Sequence, residues 1–200
     1  MQIVLATHNK DKIKEIKNLL DDLPVEIKTF EDFPEMPDVE ETGTTLEENA
    51  LLKSNAINEY TGLVALADDT GLEVDALGGK PGVYSARYAG PGCSYEDNCN
   101  KMLDELKGIS TERRGAAFRT VIAITWSKGE TETVEGRADG IITSSKQGES
   151  GFGYDPIFYY PPLGKTFAEM TLDEKNKVSH RGLALLKAKE LIRSHLERNS

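Results

Sequence analysis

Carboxylate side chains occur at two places in this 200-residue chain where they are able to hold a metal ion. Glu40 and Glu41 lie in an acidic segment, and Asp68-Asp69-Thr70-Gly71 follows the apolar run 63–67. Mg²⁺ takes one or two carboxylates and completes its shell with waters and substrate phosphates, so this pattern suits it. A solvated acidic loop and a turn are the alternative. Because neighbouring strand residues point to opposite faces, we expect at most one of the two aspartates to face a metal.

The segment Thr7-His8-Asn9-Lys10-Asp11-Lys12 lies where a short strand pattern, 3–5, meets helical spacing over 13–20. Backbone N–H groups at a helix N-terminus, with lysines beside them, attract anions. Thr and Asn are also ordinary helix caps, and lysines are often solvated surface charges. The segment therefore predicts either a phosphate site or a plain helix start.

Two further segments combine aromatic, basic and glycine residues. In Gly151–Phe158, glycines permit close approach of a flat ligand, Phe152 and Tyr154 offer stacking faces, and Asp155 is able to read polar edges of a base. An aromatic structural turn is the alternative. In 174–182, Lys175, His180 and Arg181 are suited to phosphates or to base carbonyls, whereas the alternative is a basic helix cap.

Several common motifs are excluded. Gly164-Lys165-Thr166 resembles the end of a phosphate loop, but Tyr159 stands where the first glycine of that loop is required. The sequence contains neither a dinucleotide-binding glycine fingerprint nor a GxSxG nucleophile motif. Cys93 and Cys99 form no metal-binding pair or disulfide framework, and we interpret them as two ordinary thiols.

Composition predicts a folded chain that does not bind polyanions. The formal net charge is −10, which disfavours nucleic acid and anionic membranes as partners. No apolar run approaches the roughly 20 residues that a membrane span needs, so we expect a cytoplasmic protein.

Alternating strand and helix patterns predict an α/β fold around a mixed sheet, in one domain over 1–200. A capping box is expected at Thr44-Thr45-Leu46-Glu47-Glu48, before the second helix. The other predicted helices are 13–20, 96–106, 171–177 and 181–196. The predicted strands are 3–5, 25–30, 63–67, 72–77, 116–126 and 130–142, of which the last two pair with each other.

Taken in order, these segments resemble the inosine triphosphate pyrophosphatase family, the house-cleaning nucleotide pyrophosphatases, over nearly the entire chain. Its T-x-N-x-x-K signature is matched by Thr7, Asn9 and Lys12. The other matching segments are 41–43, 48–50 with Lys53, 67–72, 77–87, 151–158 and 179–182. Departures are small: His8 and Asp11 replace residues that are often small or glycine, and Thr70 replaces a frequent serine.

The resemblance implies an elongated, two-lobed α/β fold around a central mixed sheet with flanking helices, an active cleft between the lobes, and a homodimer. It implies Mg²⁺-dependent hydrolysis of deaminated purine nucleoside triphosphates, namely ITP, dITP and XTP, to monophosphate and pyrophosphate. The implied metal ligands are Glu41 and Asp69, and Asp69 is the implied proton acceptor. The implied substrate contacts are Thr7, His8, Asn9, Lys10, Asp11 and Lys12 for phosphates; Lys53, Thr70 and Lys175; and Phe152, Gly153, Tyr154, Asp155, His180 and Arg181 around the base.

Selectivity is expected to depend on position 6 of the purine, where hypoxanthine and xanthine carry a carbonyl acceptor and adenine carries an amino donor. Arg181 and His180 are the candidate donors. The residues by themselves leave Asp68 and Asp69 both open as the base. Two other functions stay open: a regulatory protein that binds a triphosphate without cleaving it, and a pyrophosphatase for damaged pyrimidine triphosphates.

Overall fold

A computed structural model describes residues 1–198, which form an α/β fold with a central mixed sheet and flanking helices, as predicted. The α-helices are Lys10–Leu20 (α1), Leu46–Thr61 (α2), Tyr95–Glu105 (α3), Leu172–Val178 (α4) and His180–Arg198 (α5). The strands are Gln2–Leu5 (β1), Glu26–Lys28 (β2), Val64–Val74 (β3), Lys80–Gly82 (β4), Gly115–Thr125 (β5), Thr131–Ile142 (β6), Phe158–Tyr160 (β7) and Lys165–Thr166 (β8).

The strands form one sheet in the order β2-β1-β3-β5-β6-β7-β8, and β4 pairs with β3. β1 is parallel to both β2 and β3, whereas the pairs β3–β4, β6–β7 and β7–β8 are antiparallel. The predicted pairing of β5 with β6 is confirmed by their adjacency in this order. Parallel strands need a crossover connection, and α1 supplies it between β1 and β2.

The chain divides into two compact units, each with its own core. Unit 1 contains Met1–Asp69, Thr120–Gly136 and the chain from Gly182 onward; unit 2 contains Thr70–Arg119 and Arg137–Arg181. Apolar residues of β1, α1 and α5 are buried together in unit 1, including Ile3, Ile16 and Leu185. In unit 2, the buried cluster is built on aromatic residues, including Phe118, Phe158 and Phe167. That residues 1–200 make one domain stays a prediction.

The sequence interpretation of 63–77 was wrong in one respect. It divided this segment into two strands and placed Asp68 and Asp69 at a strand end, but β3 runs unbroken from Val64 to Val74. Both aspartates are buried in mid-strand. Lysines from α1 and α2 lie against them. These ion pairs offset the free-energy cost of burying a carboxylate, which normally keeps unpaired carboxylates in exposed loops.

The observed helices confirm the helix predictions. Helices were predictable because the signals that start and end them lie in neighbouring residues. Thr45 and Glu48 form the expected capping box: the Thr45 hydroxyl accepts the Glu48 N–H, and the Glu48 carboxylate accepts the Thr45 N–H. The Gly- and aromatic-rich stretch 148–162 showed no regular period, yet it contains β7, which is too short for a pattern to reveal. Among residues 1–198, no helix is both long and apolar enough to cross a bilayer.

Candidate active site

The loop from β1 to α1 is organised by Asn9, which caps the helix. Its Oδ1 accepts the backbone N–H groups of Asp11 and Lys12 at 3.0 and 3.3 Å, and the Thr7 hydroxyl accepts the Asn9 N–H at 3.2 Å. The structure therefore shows the ordinary capping role for Asn9. The helix start keeps the partial positive charge that suits a phosphate.

The predicted phosphate-binding residues of this loop do not share one environment. His8, Lys10 and Asp11 are exposed, and the His8 ring lies over Phe30 with centroids 3.5 Å apart. Lys12 is half-buried, and its Nζ lies 2.9 Å from Asp68 Oδ2. Of the two lysines in the loop, Lys12 is thus the one that the fold places at the carboxylates.

Lys53 is the centre of the acidic cluster in unit 1. Its Nζ donates to Glu41 Oε1 at 2.7 Å, to the Asp68 main-chain oxygen at 2.8 Å and to Asp69 Oδ1 at 3.2 Å. Glu41 and Asp69 thus converge on one cation, while Asp68 pairs with Lys12. This split follows the alternation of side chains along a strand.

Burial and charge act against each other in this cluster. Burial lowers the pKa of Lys53, but the charges of Asp69, Asp68 and Glu41 outweigh it and leave that pKa raised. Burial also raises the pKa of Asp69; Lys53 opposes this effect and the Glu41 charge adds to it, so the pKa of Asp69 is raised above its ordinary value. A carboxylate with a raised pKa is a better proton acceptor than an ordinary one.

The donor set of this cluster fits Mg²⁺. Glu41 and Asp69 supply carboxylate oxygens, which Mg²⁺ prefers, and both approach a single cation position held by Lys53. Within residues 1–198, no group of three or more His, Cys, Asp or Glu side chains is arranged to hold a metal. Two carboxylates match an ion whose other ligands are water and substrate phosphates.

Unit 2 holds the predicted base-binding loop, whose shape depends on Asp155. The Asp155 Oδ2 atom accepts the Phe152 N–H at 2.9 Å and the Lys175 Nζ at 2.7 Å. Gly151 has φ = 78°, and a Cβ there would lie 2.2 Å from the same oxygen. The buried carboxylate of Asp155 thus shapes the loop and holds Lys175.

Phe152 carries two cations on its ring. Lys175 Nζ lies 4.6 Å and Arg181 Cζ lies 5.3 Å from the ring centroid. Arg181 also donates from Nη2 to Thr70 Oγ1 at 3.2 Å. The structure therefore brings together Phe152, Lys175, Arg181 and Thr70, a set that offers a stacking face and hydrogen-bond donors.

Tyr154 and His180 are packed into the interior of unit 2. The Tyr154 hydroxyl donates to the Ser85 carbonyl at 2.8 Å, and the His180 ring stacks on Phe118 with centroids 4.3 Å apart. Each side chain is under 5% exposed. Their surroundings are those of core residues, while Gly153 between Phe152 and Tyr154 has φ = 62° and serves the turn.

Sequence reasoning assigned no role to two residues that contact the site. Asn49 donates to Asp69 Oδ2 at 3.2 Å, and the carbonyl of Ser85 holds Tyr154. Both lie inside motifs that carry the family resemblance, and nothing else in the sequence indicated that they contact site residues. Side-chain type and spacing do not reveal such supporting contacts.

Comparison with known proteins gives consistent matches over the chain. Residues 3–191 match the Ham1 family. A protein named dITP/XTP pyrophosphatase from Thermoanaerobacter sp. (strain X514) is 50% identical over 197 residues, covering 98% of this chain and 99% of its own length. The protein of the same name from Bacillus subtilis (strain 168) is 47% identical over 191 residues, covering 96% of each chain.

Solved structures agree with the fold. The Staphylococcus aureus Ham1 protein is 41% identical and superposes with a TM-score of 0.88, covering 98% of this chain and all of its own. A HAM1 protein from Coxiella burnetii is 40% identical with a TM-score of 0.89, covering 97% of this chain and 99% of its own.

Proposed function

This chain belongs to the Ham1 family, and from that premise we propose that it is a nucleoside triphosphate pyrophosphatase. Its substrates are deaminated purine nucleoside triphosphates, namely ITP, dITP and XTP, and its products are the monophosphate and pyrophosphate. The names of the relatives support the substrate class. The observation that carries the proposal is the convergence of Glu41 and Asp69 on the buried Lys53.

The cluster in unit 1 suits the reaction at phosphorus. Lys12 and Lys53 offset the charge of the triphosphate, and Glu41 and Asp69 would hold Mg²⁺. When bound, Mg²⁺ neutralises charge on phosphate oxygens. Asp69 accepts a proton from the attacking water as the water oxygen forms a bond to the α-phosphorus. The bond from that phosphorus to the bridging oxygen breaks, and pyrophosphate leaves with the electron pair.

The cluster in unit 2 suits a base with a carbonyl at position 6. Phe152 offers a stacking face, and Arg181 and Lys175 offer donors only, because neither side chain is able to accept a hydrogen bond. Inosine and xanthosine present an acceptor there, with which these donors form hydrogen bonds, whereas adenine presents an amino donor, with which they do not. Since the His180 ring stacks on Phe118 of the core whereas Arg181 lies over Phe152, Arg181 is the better of the two donors named from the sequence.

The direct test is pyrophosphate release from ITP, dITP and XTP against ATP and GTP at matched concentrations, with Mg²⁺ and with chelator. We expect metal-dependent release from the first three substrates and little from the others. Guanine also carries a carbonyl at position 6, so little release from GTP would mean that its 2-amino group is excluded. The Asp69→Asn variant, purified in parallel, controls for contaminating activity. If ITP binds but survives long incubation with Mg²⁺, the chain is a binding protein. A preference for modified pyrimidine triphosphates would move the proposal to that substrate class.

We also propose that the enzyme is a cytoplasmic homodimer. The family resemblance supports the dimer, and a substrate drawn from the nucleotide pool supports the location. The net charge of −10 argues against nucleic acid as a partner. Light scattering after gel filtration tests the dimer, and a mass of one chain would contradict it.

A further inference from the structure

Asn49 is a fully buried amide that contacts both the Glu41 loop and Asp69. It lies on α2, and none of its side-chain surface is exposed. Its Oδ1 accepts the Gly43 N–H at 2.8 Å, and its Nδ2 donates to Asp69 Oδ2 at 3.2 Å. A buried polar side chain with a partner on each side is strongly constrained.

The orientation of this amide follows from its partners. A backbone N–H only donates, so the atom facing Gly43 has to be the carbonyl oxygen. The NH₂ group is then fixed towards Asp69, and it presents a donor to that carboxylate. Asn49 thus presents an acceptor to Gly43 and a donor to Asp69, and an apolar residue of similar volume presents neither.

These contacts complete a closed set of links around Lys53. Lys53 holds Glu41 Oε1 and Asp69 Oδ1, and Asn49 holds the other Asp69 oxygen and the backbone of Gly43, two residues after Glu41. The Asn49 side chain packs closely against the backbone of Gly43, because a Cβ on Gly43 would lie 2.6 Å from Asn49 Oδ1. The two carboxylates are therefore tied together through a charge and through a neutral amide.

We infer that Asn49 is a positioning residue, which sets the orientation of the Asp69 carboxylate and its distance from the Glu41 loop. This inference rests on the proposed function, since it gives the position of Asp69 its catalytic meaning. Removing such a supporting hydrogen bond typically costs about 10–100-fold in activity or metal affinity. At saturating Mg²⁺, substrate affinity depends on other residues, so kcat should change and KM should not.

Two substitutions separate the two hydrogen bonds. Asn49→Leu keeps the approximate volume and removes both, while Asn49→Asp keeps the acceptor for Gly43 and removes the donor to Asp69. We expect each to lower kcat for ITP by about 10–100-fold with KM changed by less than about threefold. Mn²⁺ binding without nucleotide, measured by electron paramagnetic resonance, should weaken by about 10-fold or more in Asn49→Leu.

Asn58→Leu is the matched control, because Asn58 also lies on α2 and donates two hydrogen bonds, to the carbonyls of Leu63 and Trp126. It should lower the melting temperature and leave kcat and Mn²⁺ affinity at wild-type values. Wild-type kcat in both Asn49 variants would overturn the inference. If Asn49→Leu does not fold, the nearly isosteric Asn49→Asp decides by its kcat. If the wild type does not hydrolyse ITP, the proposed function fails, and unchanged Mn²⁺ affinity in Asn49→Leu overturns the inference separately.

Discussion

Single charged residues determine the chemistry available in unit 1. Glu41, Lys53 and Asp69 were identified from their types and from motifs, and the structure places the two carboxylates 2.7 and 3.2 Å from Lys53 Nζ. Residue type and spacing left Asp68 and Asp69 equivalent, because two adjacent aspartates differ only in what lies on each side of the strand, and only the family resemblance implied Asp69. The pairing of Asp68 with Lys12 separates them, and it depends on the packing of α1.

Asp69→Asn tests the proton acceptor. The amide keeps the size of the side chain but does not accept a proton, so kcat for ITP should fall by about 10²–10⁴-fold with little change in KM. Steady-state pyrophosphate release measures both constants. Asp139→Asn is the control, since Asp139 is an exposed carboxylate paired with Arg137, and it should keep wild-type kinetics. Normal turnover by Asp69→Asn would show that another group accepts the proton.

Arg181→Met tests base recognition. The substitution removes the donors near Phe152 and keeps an unbranched apolar stem. The ratio of kcat/KM for ITP to that for ATP should fall by at least about 10-fold, because the penalty against adenine depends on a donor that faces its amino group instead of a carbonyl. Arg87→Met removes another cation that lies over an aromatic ring, that of Tyr84, and it should leave the ratio unchanged. An equal ratio in wild type and Arg181→Met would count against the role.

Secondary-structure elements differ in how far the sequence predicted them. Helix α2 has a local start signal in Thr45 and Glu48, and its end is marked by Gly62. The continuity of β3 through Asp68 and Asp69 has no such signal, since it depends on lysines far away in the chain and on pairing with β4. Charged side chains are rarely fully buried unless they are paired. Local patterns therefore predicted the helices, and tertiary contacts decided the strand.

Replacing the two glycines that flank α2 by alanine should have different effects, one on turnover and the other on stability. Gly43→Ala brings a Cβ within 2.7 Å of Glu48 Cβ and closer still to Asn49, so the loop that carries Glu41 has to move and kcat should fall by about 10-fold. Gly62 has φ = 67° and open space around it, so Gly62→Ala should cost about 1 kcal/mol of stability with kcat unchanged. Urea denaturation and ITP turnover measure the two effects. The reverse pattern would contradict this assignment.

Over the whole molecule, acidic residues both give the chain its negative net charge and cap its helices. The excess of 34 acidic over 24 basic residues gives a net charge of −10, yet many carboxylates are tied to local structure. In the capping boxes of α2, α3 and α4, the third helical residues are Glu48, Asp97 and Glu174. Hydrogen bonds to Glu48 from Thr44, to Asp97 from Ser94 and to Glu174 from Lys165 lower their pKa values. Stability and charge are therefore linked through pH.

This linkage predicts acid sensitivity with a definite sign. A carboxyl group whose pKa is lower in the folded state stabilises that state above its unfolded pKa, and the stabilisation is lost as the pH falls through the folded value. The melting temperature of the wild type should therefore fall once the pH drops below 4.5 and 3.8, the ordinary values for these Glu and Asp groups.

The triple variant Glu48→Gln, Asp97→Asn, Glu174→Gln isolates this contribution. Amides still accept hydrogen bonds at these capping positions but do not titrate, so the variant should melt lower at neutral pH and lose less on acidification. Melting temperatures followed by circular dichroism from about pH 6 to about pH 3 give both slopes. Equal slopes in wild type and variant would mean that other carboxylates with lowered pKa values, such as Asp22 and Asp32, dominate the acid response.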